Sequence, residues 1–191
     1  STVNQLMKHP NMFAAIGVGG QHTYGVDIDE SEWAQLKETP MMFMAGTCDR
    51  NSHFPYGQKN EKVVTALNKW FALNGVDASF TNEQCLDIAN NSENLAERKL
   101  GLIGDETYIQ YYDGTEYYTA DWFNEDGINM VKGVAIEGMP HWLTGSFATL
   151  MWNFMKQYAR DTETGELIVL NQDNEPQLEP QEIEYKKEGT F

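Results

Sequence analysis

The sequence predicts an α/β fold with a mostly parallel sheet and flanking helices. Two short apolar runs, at 12–18 and 41–46, alternate with stretches in which apolar residues recur at helical spacing. Apolar runs of this length are typical of strands buried on both faces. Strands that alternate with helices form right-handed crossover units in a parallel sheet. With 191 residues, of which 41% are hydrophobic, the chain can build one packed domain.

The elements of the first half follow in order. Residues 1–9 show apolar side chains at helical spacing, and the strand at 12–18 comes next. A short helix or turn at 31–37 leads to the strand at 41–46, which is followed by a helix at 58–73. Residues 81–105 are polar and rich in asparagine, so we expect irregular structure with one short helix there.

A β-hairpin is predicted at 107–119, where two arms rich in tyrosine and threonine flank Asp113-Gly114. The Asp-Gly pair is a strong signal for a tight turn between antiparallel strands. A further strand at 130–136 precedes an amphipathic helix at 147–158. We therefore expect an added antiparallel hairpin beside the parallel sheet.

The predicted domain boundary lies after residue 160. Residues 1–160 are expected to form a single α/β domain, and 161–191 an acidic C-terminal extension with one short strand at 167–170. The helical pattern at residues 1–9 has no capping residue before it, which indicates a chain that begins inside an element.

The charge balance narrows the classes of partner. Lys and Arg number 13 against 29 Asp and Glu, which gives a formal net charge of −16. Proteins bind nucleic acids largely by neutralising phosphates with cations, so we expect no nucleic-acid partner. No apolar run reaches the roughly 20 residues of a membrane span, so we expect no membrane span.

The two cysteines are compatible with one disulfide bridge or with two free thiols, and they are too few for a four-cysteine zinc site.

Two polar side chains follow predicted strands at the positions where catalytic groups of parallel sheets lie. Asp49 comes after the strand at 41–46, and His141 comes after the strand at 130–136. In acyl transfer, a histidine takes a proton from a serine and returns it to the leaving group, while a carboxylate orients the imidazole. The alternatives are an aspartate that bonds only its own turn and a histidine that bonds only backbone.

Three segments resemble the polyhydroxybutyrate depolymerase and feruloyl-esterase-like α/β hydrolases. Residues 39–49, with Phe54-Pro55-Tyr56, resemble the family's G-T-x-D and P-Y segment. Residues 138–142, with Trp152-Asn153-Phe154, resemble its closing G-M-x-H segment. Residues 9–15 resemble the family's sequence shortly after the nucleophile elbow. The similarity extends over most of the predicted domain.

This resemblance implies the C-terminal part of an α/β-hydrolase fold, with Asp49 as catalytic acid and His141 as catalytic base. It implies a secreted serine esterase, extracellular or periplasmic, that acts on a polyester or an acylated polysaccharide and needs no cofactor. No Gly-x-Ser-x-Gly motif occurs in the chain. We therefore expect the elbow serine upstream of residue 1, in an N-terminal segment of the same protein, and we expect the chain alone to be inactive.

Four further residues are candidate substrate contacts. Trp142 follows His141 and is suited to stacking on a sugar or an aromatic acyl group, and His22 follows the first strand. His53 and Tyr56 follow Asp49 and are candidates for lining the pocket. Aromatic side chains of this kind also pack in cores. His53 and Asp49 together would supply only two ligands, which are too few for a metal site, so no metal is expected at His53.

Two other functions are open at this stage. One is a non-catalytic carbohydrate-binding or interaction domain that retains the fold, which the absent elbow motif and the aromatic hairpin favour. The other is a small enzyme complete in itself that uses Ser52 or Ser146, although neither serine lies in an elbow motif.

Overall fold

The structure is a computed structural model that describes residues 2–20, 28–58, 61–142 and 145–170. Within these ranges the chain forms six helices and seven strands. In chain order they are α1 (Thr2–Lys8), β1 (Ile16–Gly19), α2 (Glu30–Trp33), β2 (Met41–Gly46), α3 (Glu61–Leu73), α4 (Asn82–Asn91), α5 (Leu95–Leu100), β3 (Glu106–Tyr112), β4 (Thr115–Phe123), β5 (Asn129–Ile136), α6 (Gly145–Met155), β6 (Tyr158–Arg160) and β7 (Leu167–Val169).

Five strands form a mixed sheet in the order β1-β2-β5-β4-β3. The pairs β1–β2 and β2–β5 are parallel, whereas β5–β4 and β4–β3 are antiparallel. The chain is therefore an α/β protein, as the sequence predicts. Because β5 pairs with both β2 and β4, the hairpin continues the same sheet rather than lying apart from it.

The predicted hairpin is confirmed, with its turn at Asp113 and Gly114. Both residues have positive φ, 49° and 72° respectively. Positive φ at both central positions matches the right-handed twist of the two strands, and a short polar residue followed by glycine tolerates it best. The arms pair in register from Tyr112 with Thr115 to Glu106 with Asp121.

The sheet has an apolar cluster on each face. Along β2, Met41 and Phe43 belong to one cluster, while Met42 and Met44 belong to the other. The first cluster is covered by α3, which contributes the buried Trp70 among other residues, and the second is covered by α6. Burial on both faces explains why β2 is continuously apolar.

Glycines in β1 let α6 approach that strand closely. A Cβ atom on Gly19 would lie 2.2 Å from Cε1 of Phe147, and one on Gly17 would lie 2.8 Å from Sδ of Met151. Distances this short exclude larger side chains without movement of α6. The glycines therefore seat α6 against the sheet, just after the loop that carries His141.

The expectation of irregular structure with one helix at 81–105 was wrong. Two helices, α4 and α5, occupy this stretch. Thr81 caps α4 through reciprocal bonds with Gln84, Asn94 caps α5, and Gly101 ends α5 with a φ of 69°. Their buried faces are small, so apolar periodicity is weak and the caps carry most of the local signal.

The remaining helices overlap the predictions at 1–9, 31–37, 58–73 and 147–158. However, α6 ends at Met155, and Tyr158, which was expected in that helix, is the first residue of β6. The first strand is shorter than its apolar run. It begins only at Ile16, because the chain turns after α1 with Met12 N–H donating to the carbonyl of His9 at 3.0 Å.

The strand expected at 167–170 is present as β7, and it pairs antiparallel with β6. This two-stranded sheet spans the boundary predicted after residue 160, while residues 171–191 lie outside the described residues.

Both cysteines are free: Cys48 is exposed and Cys85 is buried, and burial raises the pKa of the Cys85 thiol to about 12. Across the described ranges, no helix is long and apolar enough to cross a membrane.

Candidate active site

The candidate site lies at the carboxyl ends of β2 and β5, which are adjacent parallel strands. Gly46, the last residue of β2, is in register with Ile136, the last residue of β5. The two loops that leave these strands therefore emerge side by side. The first loop carries Asp49 and the second carries His141.

Backbone hydrogen bonds tie the two loops together. Thr47 N–H donates to the Ile136 carbonyl at 2.9 Å, and Cys48 N–H donates to the Met139 carbonyl at 3.1 Å. Gly46 permits this approach, because a Cβ atom there would lie 1.8 Å from the Met139 carbonyl oxygen. Glycine is thus the last residue of β2 because the neighbouring loop leaves no room for a side chain there.

The Asp49 carboxylate is buried and held by its own loop. Its side chain is 1% exposed. Oδ1 accepts a hydrogen bond from Asn51 N–H at 2.8 Å, and the Asp49 carbonyl accepts one from Ser52 N–H at 3.0 Å. These bonds close a turn after the strand and direct Oδ2 toward the second loop. Asp49 therefore both bonds its own turn, through Oδ1, and contacts the histidine, through Oδ2, although these were considered as alternatives from the sequence.

His141 meets this carboxylate from the exposed side. Its Nδ1 lies 2.8 Å from Oδ2 of Asp49, across 92 positions of sequence. The His141 side chain is 58% exposed, and it sits at the centre of a tight turn in which Trp142 N–H donates to the Pro140 carbonyl at 2.7 Å. The contact that the strand-end argument predicts is therefore present.

The pairing assigns the two ring nitrogens different tasks. A buried carboxylate accepts hydrogen bonds, so Nδ1 is assigned as the donor and neutral His141 carries its lone pair on Nε2. Within the described part of the chain, Nε2 forms no hydrogen bond. An imidazole held at Nδ1 and open at Nε2 can accept a proton from a group that approaches from solvent.

Gly20 forms the wall of the site on the side of β1. A Cβ atom on this residue would lie 3.3 Å from Cε1 of His141 and 4.0 Å from Oδ2 of Asp49. Its φ of 62° also favours glycine. The signal that the sequence offers for this role is the position of Gly20 just after the apolar run at 12–18.

The predicted substrate contacts are distributed unevenly. Trp142 is 73% exposed beside His141. His53 and Tyr56 are 5% and 1% exposed, and Tyr56 belongs to the core cluster on the α3 face of the sheet. His22 lies outside the described residues. Of the three candidates that the structure describes, Trp142 is therefore the one exposed next to the histidine.

The two serines considered as alternative nucleophiles are both buried. Ser52 Oγ accepts a hydrogen bond from Phe54 N–H at 3.0 Å, and Ser146 Oγ lies 2.8 Å from the hydroxyl of Tyr117. Each hydroxyl thus has a structural partner and little exposure to a substrate. Among the described residues, no group of three or more His, Cys, Asp or Glu side chains is arranged to hold a metal ion.

A polar network beside the site was missed by sequence reasoning. The Thr47 hydroxyl accepts from Gly138 N–H at 2.9 Å, and Lys99 Nζ donates to Oε2 of Glu137 at 2.8 Å. The bond from Lys99 lowers the pKa of Glu137 below its ordinary value; bonds from Tyr118 and Thr47 act in the same direction, and burial opposes them. The sequence offered Thr47 as part of a motif, without a signal for its partners.

A scan against models of protein families found none that matches this chain. A search of curated proteins also found no match.

Proposed function

We propose that this chain supplies the acid and the base of a serine esterase, with Asp49 orienting His141. The observation that carries the proposal is the 2.8 Å contact between Nδ1 and Oδ2 at the ends of two adjacent parallel strands. A buried carboxylate behind an exposed imidazole is the arrangement that a histidine base in acyl transfer requires.

In the proposed reaction, Nε2 of His141 removes the proton of a serine hydroxyl as the serine oxygen attacks the ester carbonyl. The tetrahedral intermediate collapses when His141 returns that proton to the leaving alcohol, which gives an acyl-serine. Water then repeats the sequence with the same histidine and releases the carboxylic acid. Asp49 holds the Nδ1–H tautomer and stabilises the imidazolium that forms in each half-reaction.

The proposed nucleophile lies upstream of residue 1. The chain contains no Gly-x-Ser-x-Gly motif, and among the described strands β1 pairs on one edge only, with β2. A strand upstream of α1 would reach the other edge of β1 through a right-handed crossover that uses α1. The turn between that strand and α1 would then open at the same edge of the sheet as Asp49 and His141.

A neutral ester is the substrate class that the surroundings of His141 favour. From Gly138 to Met155 the sequence contains no Asp, Glu, Lys or Arg, although the whole chain has a net charge of −16. Exposed Trp142 adds an aromatic surface beside the imidazole. We extend the proposal to a polyester or an acylated polysaccharide acted on outside the cell or in the periplasm, which rests on the family resemblance.

The test is ester hydrolysis by this chain with and without its upstream segment. We expect hydrolysis of a short-chain aryl ester only when the upstream segment is present, and we expect His141→Ala to abolish it. His9→Ala is the matched control, since His9 is also exposed but lies at the end of α1. Activity that survives His141→Ala, or that is lost equally in His9→Ala, would contradict the proposal.

The second candidate function is a non-catalytic domain that binds carbohydrate. The exposed Trp142 and the missing elbow motif are the observations that favour it. It predicts oligosaccharide binding that Trp142→Ala removes and His141→Ala leaves intact, with no ester hydrolysis when the upstream segment is present. Calorimetric titration with neutral oligosaccharides separates the two candidates.

A further inference from the structure

The Thr47 side chain stands at the junction of the two loops that carry Asp49 and His141. Its hydroxyl accepts from the backbone N–H of Gly138 at 2.9 Å and lies 3.4 Å from Oε2 of Glu137, to which it donates. A hydroxyl can accept and donate at once, so one side chain joins the turn after β2 to the start of the loop after β5.

Glu137 in turn connects this junction to helix α5. Its Oε2 accepts from Nζ of Lys99 at 2.8 Å, and Lys99 also lies over the ring of Tyr118, with Nζ 5.4 Å from the centroid. Glu137 N–H donates to the Glu116 carbonyl at 2.9 Å, which anchors the start of the loop to β4. The loop that ends at His141 is therefore held at its first two residues, 137 and 138.

The span between this anchor and the imidazole is short. Only Met139 and Pro140 separate Gly138 from His141, and the Met139 carbonyl is itself bonded to Cys48 N–H. A change in the position of Gly138 is thus transmitted to His141 through two residues that have little freedom, since one is proline and the other is buried.

We propose that Thr47 is a positioning residue that sets the contact between Nδ1 of His141 and Oδ2 of Asp49, with Glu137 and Lys99 supporting its orientation. Among the described residues, the Thr47 hydroxyl bonds to Gly138 and Glu137 and not to either side chain of the pair. It acts by fixing the separation of the two loops, and the proposal rests on the proposed function only for its effect on catalysis.

The isosteric change Thr47→Val removes both hydrogen bonds and keeps the shape of the side chain. The Gly138 N–H then loses its acceptor, and Glu137 loses a donor. A hydrogen bond of this kind shifts an equilibrium constant by about three- to tenfold, so we expect the ratio of closed to open Nδ1–Oδ2 contacts to fall by that factor. Thr47→Ser retains the hydroxyl and is expected to behave like the wild type.

The contact can be observed directly by NMR of the 191-residue chain with ¹⁵N-labelled histidine. A proton on Nδ1 that is bonded to a carboxylate gives a far-downfield resonance, and its loss in His141→Gln assigns it among the four histidines. We expect the resonance in the wild type and in Thr47→Ser, and we expect it to weaken or broaden away in Thr47→Val. Retention of the full resonance in Thr47→Val would overturn the proposal.

Thr107→Val is the matched control for a purely structural effect. The Thr107 hydroxyl also accepts from a backbone N–H, that of Gly104, at 2.9 Å, but it lies at the start of the β3–β4 hairpin. We expect it to lower thermal stability without changing the His141 resonance. If Thr107→Val weakened the resonance as much as Thr47→Val, the effect would be general loosening of the fold and the proposal would be wrong.

Two further variants keep the test decisive if Thr47→Val does not fold. Glu137→Gln and Lys99→Met each remove part of the support of Thr47, and we expect each to weaken the resonance less than the loss of the hydroxyl would. An unchanged resonance in both overturns the proposal.

The catalytic arm of the test uses the protein with its upstream segment. We expect Thr47→Val to lower kcat for an aryl ester about three- to tenfold at unchanged KM, with rescue by Thr47→Ser. A lowered kcat that Thr47→Ser does not rescue would count against the positioning role. If the wild type shows no hydrolysis, the proposed esterase function fails, while the resonance still decides the role of Thr47.

Discussion

The two ends of the parallel strands β1 and β2 are both held by hydrogen bonds between loops, but they differ in what the bonds leave free. At the amino ends, the Arg160 guanidinium donates to the carbonyls of Phe13, Gly165 and Glu38 and to the Thr39 hydroxyl. At the carboxyl end of β2, the Asp49 carboxylate is bonded to Nδ1 of His141 from the loop after β5, and the His141 side chain is 58% exposed.

Under the proposed function, this difference separates a structural end of the sheet from the end that carries the catalytic base. Arg160 donates its hydrogen bonds to oxygens within the protein, and these bonds connect the β6–β7 hairpin to the segments that precede β1 and β2. Lys37 adds a bond to the Thr164 carbonyl in the same hairpin at 2.9 Å. His141 instead has one nitrogen fixed by Asp49, while the other forms no hydrogen bond with the described residues, and its side chain is 58% exposed. Mutation of the first end should therefore change stability, and mutation of the second should change activity.

The largest expected effect follows from removing the base. In a protein that carries the proposed upstream segment, we expect His141→Ala to lower kcat/KM for an aryl ester by about 10⁴-fold or more. Because the side chain is mostly exposed, the free energy of unfolding should change by less than about 1 kcal/mol. Initial rates and urea denaturation of the same preparations check both parts. A large loss of stability with little loss of rate would show that His141 has a structural role instead of a catalytic one.

Removing the guanidinium should have the opposite outcome. Arg160→Leu leaves several carbonyl oxygens without donors, and we expect the free energy of unfolding to fall by about 2–4 kcal/mol, with kcat of the folded protein unchanged. Arg160→Lys should lose less, since it keeps the charge and part of the bonding. Urea titrations give the loss, and a fall in kcat in Arg160→Lys would show that the two ends are not independent.

The wall of the site offers a sharper test. Gly20→Ala adds a Cβ atom 3.3 Å from the His141 ring at a φ of 62°. We expect kcat to fall by about tenfold to a hundredfold, because a small displacement of a catalytic group is costly. Gly114→Ala is the control, because its φ is 72° and no atom lies within 4 Å of the added carbon. Kinetics and thermal unfolding of both variants separate backbone strain from displacement of the imidazole, and equal kcat values would exclude displacement.

The smallest expected effect is a pH-dependent one at Glu137. The pKa of this carboxyl is lowered in the folded protein from 4.5, so its charged form stabilises the fold above that value. This stabilisation is lost as the pH falls through the lower folded-state pKa. We expect Glu137→Gln to cost less than about 1 kcal/mol at neutral pH, since the pair with Lys99 is partly exposed. Denaturation across a pH series should show the difference vanish in acid, and a difference that grows there would contradict the assignment.

Much of the fold could be predicted because burial leaves a pattern in the sequence. β2 is buried on both faces and reads as a continuous apolar run, and α3 buries one face with helical spacing. The helices α4 and α5 were underestimated because short polar helices depend on caps such as Thr81 and Gly101 rather than on apolar periodicity.

Of the candidate site, too, only a part could be predicted from the sequence. Asp49 and His141 could be paired from sequence because parallel strands bring their carboxyl ends to one edge of the sheet. The bond between Glu137 and Lys99 could not, because it depends on where α5 packs relative to β5. The burial of His53 and Tyr56 depends on the path of the loop after Asp49, which local sequence does not specify.

The most direct test of the central claim is labelling by a fluorophosphonate of a protein that carries the proposed upstream segment. This reagent forms a covalent bond with a serine activated by a histidine base. We predict a single labelled serine on the N-terminal side of residue 1, with labelling abolished by His141→Ala and slowed by Asp49→Asn. Labelling of Ser52 or Ser146, or labelling that is unchanged in His141→Ala, would contradict the account.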